Sequence, residues 1–187
     1  MPTIAPDVLD ELVHAGTTSW EAFRKSLGGA FHTFLPADYR GAHDQLARLR
    51  PRADSFVELG SGVGVHTIIA SLLGYDAYGI EIEADLVEEA ERLGARFGAR
   101  PTFVEGSFVS PEYREDVELL PSDFLTEADG ADAWDELGMT LADFDVVYVY
   151  PWPGEEDWLE EMVRRFATPG TLLLMYASGE GYLVREV

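Results

Sequence analysis

Apolar residues along the chain recur in two rhythms, helical repeats of three and four residues and short unbroken runs of strand length. Val8, Leu9, Leu12 and Val13 share a face and predict a helix over Ala5 to His14. A second short helix is predicted over Ser19 to Leu27, led by Thr17, Thr18 or Ser19 as a cap and stopped by Gly28-Gly29. The aromatic connector Ala30 to Pro36 precedes a helix from about Ala37 to Leu49, with Tyr39, Ala42, Leu46 and Leu49 on one stripe and Pro51 closing it.

From there strands and helices alternate. Ser55 to Val57 with Leu59 reads as a buried strand, and Val65 to Leu73 reads as a helix stopped by Gly74. Ala77 to Ile82 predicts a second strand, Ala84 to Phe97 an amphipathic helix, and Thr102 to Glu105 a third strand. Phe144 to Tyr150 predicts a fourth strand, Glu155 to Ala167 a helix with acids in its first turn and arginines in its last, and Thr171 to Tyr176 a fifth strand. Apolar strands alternating with helices imply a parallel sheet covered on both faces. Between the third and fourth strands, Val109 to Asp143 is an acidic insertion expected to hold short helices, either a solvated excursion or a surface for a basic partner.

Glycine stands at every second position in Leu59-Gly60-Ser61-Gly62-Val63-Gly64, between the first strand and the following helix. Glycine lets backbone approach a ligand closely at a helix N-terminus, so this loop reads as a nucleotide cradle. A dinucleotide fingerprint would need a third glycine at position 65, where Val65 stands. Glu58 lies two residues before the first glycine, where a carboxylate repels pyrophosphate and accepts hydrogen bonds from an ammonium. Glu81, 21 positions after Gly60, falls at the end of the second strand, where an acid can face the ribose of an adenosine.

The pattern Glu58-x-Gly60-x-Gly62-x-Gly64, followed in order by Glu81, Gly106-Ser107-Phe108 and the exit of the fourth strand, resembles the class I S-adenosylmethionine (SAM) dependent methyltransferases over about Ala37 to Tyr176. The resemblance implies a three-layer Rossmann-like α/β fold with a doubly wound, mostly parallel sheet. It further implies SAM as cofactor, held by Glu58, Gly60, Ser61, Gly62, Gly64, Glu81, Ile82, Gly106, Ser107 and Phe108, with Ser107 toward the adenine amino group and Phe108 against its ring. In that family the region before the first strand often lids the cofactor, which makes Phe34, Tyr39 and His43 candidates for the lining, with core packing as the other reading of each. The family normally adds two strands after the fifth; here Tyr182 to Val187 remains, so the sheet is expected to be truncated at its C-terminal edge.

Many N-methyltransferases carry Asn or Asp followed by Pro-Pro-aromatic at the fourth-strand exit, and this chain has Tyr150-Pro151-Trp152-Pro153. Tyr in the Asn position argues against adenine-type or glutamine-type amide methylation and leaves Tyr150 as the candidate catalytic residue and Trp152 as the candidate substrate contact. The two rings could flank a cation; Trp152 could equally pack over the next helix. The implied activity is methyl transfer to a small-molecule or protein side-chain acceptor. The alternative is a non-catalytic SAM-binding or interaction module, motivated by the missing strands and the acidic insertion. A nicotinamide-binding oxidoreductase is disfavoured by Val65 and Glu58, and an aminopropyltransferase by Tyr150, which stands where an acid would be wanted.

Length and composition narrow this picture. The 187 residues predict one domain over 1–187, with a helical cap over 1–50 and the acidic insertion over 109–143. With 13 basic and 35 acidic residues the formal charge is −22, and Lys25 is the single lysine. That surface predicts no nucleic-acid partner. It suits a basic protein or cationic small-molecule substrate, or reflects adaptation of the whole surface to salt or solubility. The absence of cysteine removes disulfides and thiolate chemistry. Asp129-Gly130-Ala131-Asp132 lacks the spacing of a calcium loop, so no metal is predicted. No run of about 18 apolar residues and no basic, apolar leader is seen, which predicts a soluble, cytoplasmic protein without a membrane partner.

Overall fold

Strand β1 (Ser55–Leu59) is buried from Phe56 to Leu59, and the rest of the fold is arranged to cover its two faces. The structure is a computed structural model and describes residues 3–26, 38–118, 126–177 and 179–187. Strands β2 (Asp76–Glu81), β3 (Thr102–Glu105), β4 (Val146–Val149) and β5 (Leu172–Ala177) extend the sheet in parallel, and β6 (Gly181–Glu186) pairs antiparallel with β5. The order is β3-β2-β1-β4-β5-β6, a doubly wound sheet that reverses direction between β1 and β4.

Side chains alternate across each strand, so the sheet builds two apolar layers. Phe56, Ala77, Phe103, Tyr148 and Leu174 face helices α1 (Pro6–Ser26), α2 (Tyr39–Leu49), α3 (Val65–Leu72) and α4 (Ala84–Arg96). Val57, Ile80, Val104, Val147 and Leu173 face α5 (Pro111–Glu118), α6 (Ala133–Leu137) and α7 (Glu156–Phe166). This is the three-layer Rossmann-like arrangement expected from the alternation of elements. At the far edge β6 follows β5 and lines its outer side.

The two N-terminal helices expected from sequence are one. Gly16, Thr17 and Thr18 look like a break, yet α1 runs through them, with the Thr17 hydroxyl donating to the Val13 carbonyl at 2.8 Å and that of Thr18 to the His14 carbonyl at 2.9 Å rather than capping a new helix. Gly16 is there for approach: a Cβ at this position would lie 2.2 Å from Cγ2 of Val65, the first residue of α3. Exposed ties from Asp10 to Arg40 and from Glu11 to Arg96 (2.7 Å) fix α1 across α2 and α4. The predicted stop at Gly28-Gly29 and the aromatic connector, including Phe31 and Phe34, lie outside the described residues.

The acidic insertion is only partly an excursion. Arg165 pairs with Asp116 of α5 at 2.8 Å, Asp132 caps α6 by accepting from Trp134 N at 3.0 Å, and the Trp134 indole donates to the Phe108 carbonyl at 2.9 Å. Residues 119–125 of this stretch lie outside the described residues. No helix among the described residues is long and apolar enough to cross a membrane.

The Gly16 contact gives a test. Ala is better than Gly in a helix by about 1 kcal/mol, whereas overpacking costs about 1–3 kcal/mol. Gly16→Ala is therefore expected to lower stability in urea unfolding, and a more stable variant would show that α1 does not pack on Val65 this closely.

Candidate functional site

The reversal of strand order leaves the carboxyl ends of β1 and β4 diverging, and a cleft of about 200 Å³ opens above them. Its floor is the glycine loop. The Gly60 and Ser61 amides both donate to the Ile80 carbonyl, at 2.9 and 2.8 Å, Gly64 N donates to Ser61 O at 2.8 Å, and Gly62 N donates to the Glu81 carboxylate at 2.7 Å. A loop that cradles phosphate points such amides at its ligand. Here these four are engaged inside the protein, so the expected ring of ligand-facing N–H groups at these positions is not what the loop supplies.

It supplies shape and one hydroxyl. Gly62 has φ 53° and a Cβ there would meet nothing within 4 Å, because its open side is the cleft. Gly64 has φ 74°, but a Cβ there would lie 2.5 Å from Cζ of Phe103 and 2.9 Å from Cβ of Ala90. Its glycine serves the packing of α3 on β3 and α4. Ser61 is 6% exposed, lines the cleft, and its Oγ is buried without a hydrogen-bond partner. An unmet buried hydroxyl costs roughly 1–3 kcal/mol, which a bound polar group would offset.

Glu58 lines the cleft but its carboxylate turns into the protein. Oε1 sits 2.8 Å from Nδ1 of His66, and Oε2 accepts from Thr67 N at 3.1 Å and Thr67 Oγ1 at 2.6 Å. Of roughly four acceptor sites on a carboxylate, these take three. The residue read from sequence as an ammonium acceptor lines the cleft and also ties β1 to the start of α3. His66 continues the contact, with Nε2 3.3 Å from the Tyr148 hydroxyl and its ring 4.8 Å from that of Tyr39. Burial drives the Tyr148 hydroxyl well above the usual phenol range, reinforced by Tyr182 and Glu58.

Glu81 ends β2 with its carboxylate in the cleft wall. Besides Gly62 N it accepts from Ile82 N at 2.8 Å and Glu83 N at 3.1 Å. Burial pushes the carboxyl above its ordinary range, and the three backbone donors work against that shift. Ile82, Gly106, Ser107 and Phe108 line the same wall. Ser107 is 1% exposed, and its Oγ accepts from Val109 N at 3.2 Å, leaving one lone pair and the hydroxyl hydrogen.

The opposite wall is aromatic. Tyr150 and Trp152 leave β4 into the cleft, and the Tyr150 ring meets Tyr176 edge-on at 5.0 Å. Burial, and then Tyr176, raise the Tyr150 hydroxyl above the ordinary phenol range. Tyr39, for which lining and core packing were both open, joins them from α2 and also packs on the core, whereas His43 turns aside to Asp44 at 3.1 Å and is not part of the lining. Sequence reasoning missed Trp20 and Phe23 of α1, as well as Thr126 and Glu127, all of which line the cleft. Among the described residues four carboxylates stand in the lining, Glu58, Glu81, Glu83 and Glu127, and no lysine or arginine does.

No family model matches the chain. The ribosomal protein L11 methyltransferase of Thermus thermophilus is 35% identical over 135 residues, covering 70% of this chain and 52% of that protein. The chain thus spans about half the length of this curated relative. An RNA methyltransferase from Salinibacter ruber, solved with S-adenosyl-L-homocysteine, has 24% identity and a TM-score of 0.52 over 75% of this chain and 76% of that one. An O-methyltransferase from Bacillus cereus, solved with the same compound, has 13% identity and a TM-score of 0.53 over 92% and 66%. Both structures share the fold described above.

The two glycines of the loop are separable by experiment. Ala at either positive φ costs about 1–2 kcal/mol, and at Gly64 the clash with Phe103 adds about 1–3 kcal/mol. Gly64→Ala should therefore unfold at clearly lower urea than Gly62→Ala; equal midpoints would place Gly64 in open space instead.

Proposed function

We propose that this chain, which has the fold of the class I SAM-dependent methyltransferases and shares 35% identity with one of them, binds SAM and transfers its methyl group to a nucleophilic acceptor. The observation that carries the cofactor reading is the glycine loop itself, in which four amides are engaged internally, the Ser61 hydroxyl is unmet, and the space beside Gly62 is open. Such a loop suits a ligand with ammonium and sulfonium groups and no phosphate. Glu81 keeps one acceptor site for a ribose hydroxyl, and Ser107, Phe108 and Ile82 form the wall for adenine. Gly60 and Gly62 bring backbone close to the ligand, Gly106 makes room for the backbone of Ala131 against the same wall, and Glu58 acts through its hold on α3.

The cofactor supplies a methyl carbon already made electrophilic by a positively charged sulfur. The protein's task is then to align an acceptor for in-line displacement and to exclude water. Tyr150 and Trp152 stand at the mouth where the acceptor enters, with Tyr39, Trp20 and Phe23 completing an apolar collar. Four carboxylates and no lysine or arginine in the lining favour a cationic small molecule or a basic protein side chain. Net charge alone does not exclude a nucleic-acid acceptor, since the Salinibacter protein of the same fold is an RNA methyltransferase. The non-catalytic alternative is separated by turnover: release of S-adenosylhomocysteine with a supplied acceptor would rule it out.

Calorimetry should show binding of SAM and S-adenosylhomocysteine and none of NAD, and Gly62→Val should abolish that binding while the fold persists. NAD binding without SAM would end this reading. Once an acceptor is found by labelling an extract with methyl-SAM, Trp152→Ala and Tyr150→Phe should slow single-turnover transfer, with losses of about 10²-fold for a misplaced acceptor, and leave SAM affinity nearly unchanged. Normal transfer in both would move the acceptor site away from the β4 exit.

A further inference from the structure

Glu155 is a buried carboxylate that the methyl-transfer reading leaves without a role. It is 1% exposed, and each of its oxygens accepts from a residue 29 positions earlier: Thr126 N donates to Oε1 at 3.0 Å and the Thr126 hydroxyl donates to Oε2. Its place at the N-terminus of α7 favours the negative charge, but a burial this deep is costly without a structural return.

The return lies in what Thr126 begins. Residues 126–133 form a strap across the carboxyl ends of β2 and β3. One end is fixed on the turn after β3, where Ser107 N donates to Ala131 O at 2.8 Å and Ala133 N donates to Ser107 O at 3.4 Å. A Cβ on Gly130 would lie 3.1 Å from Cδ1 of Ile82 and 3.4 Å from Cβ of Ser107, so the strap lies directly over the adenine wall. The other end is Thr126, which with Glu127 lines the cleft. Glu155 also belongs to the turn that carries Tyr150 and Trp152, since its amide donates to the Trp152 carbonyl at 3.0 Å.

We propose that Glu155 is a positioning residue: through Thr126 it holds the 126–133 strap as the wall over the bound nucleoside, and it joins that wall to the acceptor mouth. This rests on the cofactor reading above. It assigns part of the acidic insertion to the binding site itself. Glu155 touches neither cofactor nor acceptor and works through the backbone and hydroxyl of Thr126.

The test is calorimetric titration of the full chain with S-adenosylhomocysteine, alongside thermal unfolding. Charge-assisted bonds are about twice as strong as neutral ones, so Glu155→Gln, which keeps an acceptor for Thr126 N, should bind within about threefold of wild type. Glu155→Ala should lose about tenfold or more, roughly 1.4 kcal/mol. Thr126→Ser should match wild type, and Thr126→Val, which keeps the backbone bond alone, should fall between. Unchanged affinity in folded Glu155→Ala and Thr126→Val, even with lowered melting temperatures, would overturn the proposal and leave Glu155 a purely structural carboxylate. If Glu155→Ala does not fold, the Thr126→Ser and Thr126→Val pair decides in the same terms. No binding by the wild-type chain is a different outcome: it overturns the cofactor reading, and this inference falls with it.

Discussion

The cleft depends on one buried carboxylate, Glu58. At 3% exposure it would be expensive as an isolated charge, and it is tolerated because the amide and hydroxyl of Thr67 and the imidazole of His66 surround it. Hydrogen bonds to a charged group contribute about 1.5–3 kcal/mol each, so these three dominate the local energetics where β1 becomes α3. They set the distance between strand end and helix start, and so the path of the glycine loop between them. Internal engagement of the loop's amides follows, because a loop clamped at both ends folds back onto Ile80 and Glu81 rather than opening toward a ligand.

Much of the architecture was legible in the sequence, and the reason is local. Strand and helix periods, glycine stops and the acid at position 81 are short-range signals, and β1, α4 and β3 fall where those signals place them, within a residue or two. The break foreseen at Gly16-Thr17-Thr18 misread two residues whose hydroxyls bond within the helix and one whose bareness answers to Val65. Glu58 was read as facing a ligand because sequence spacing fixes its place at the loop mouth but not the rotamer that His66 and Thr67 select. Trp20, Phe23, Thr126 and Glu127 carried no readable signal, since their place in the lining follows from how α1 docks and from a bond spanning 29 residues.

The acidic composition takes on a more specific meaning beside this geometry. Much of it forms ordinary surface pairs such as Glu89 with Arg92 and Glu11 with Arg96, which contribute little to stability. A few acids are instead buried and hydrogen-bonded within the protein, Glu58, Glu81 and Glu155 among them, each receiving hydrogens from backbone at the carboxyl end of the sheet. Three structural carboxylates thus tie three separate connections around one opening: the loop after β1, the turn after β2, and the strap that returns to β4.

The seating of α1 governs how a molecule could exchange with the cleft. Gly16 packs on the first residue of α3, and one and two turns later Trp20 and Phe23 reach the lining, so the same helix touches both the base of the loop and the collar above it. Lifting those rings by swinging α1 outward would also pull Gly16 away from Val65. Access to the cleft on this side is therefore coupled to how α1 packs on the base of the loop, two ends of one rigid element.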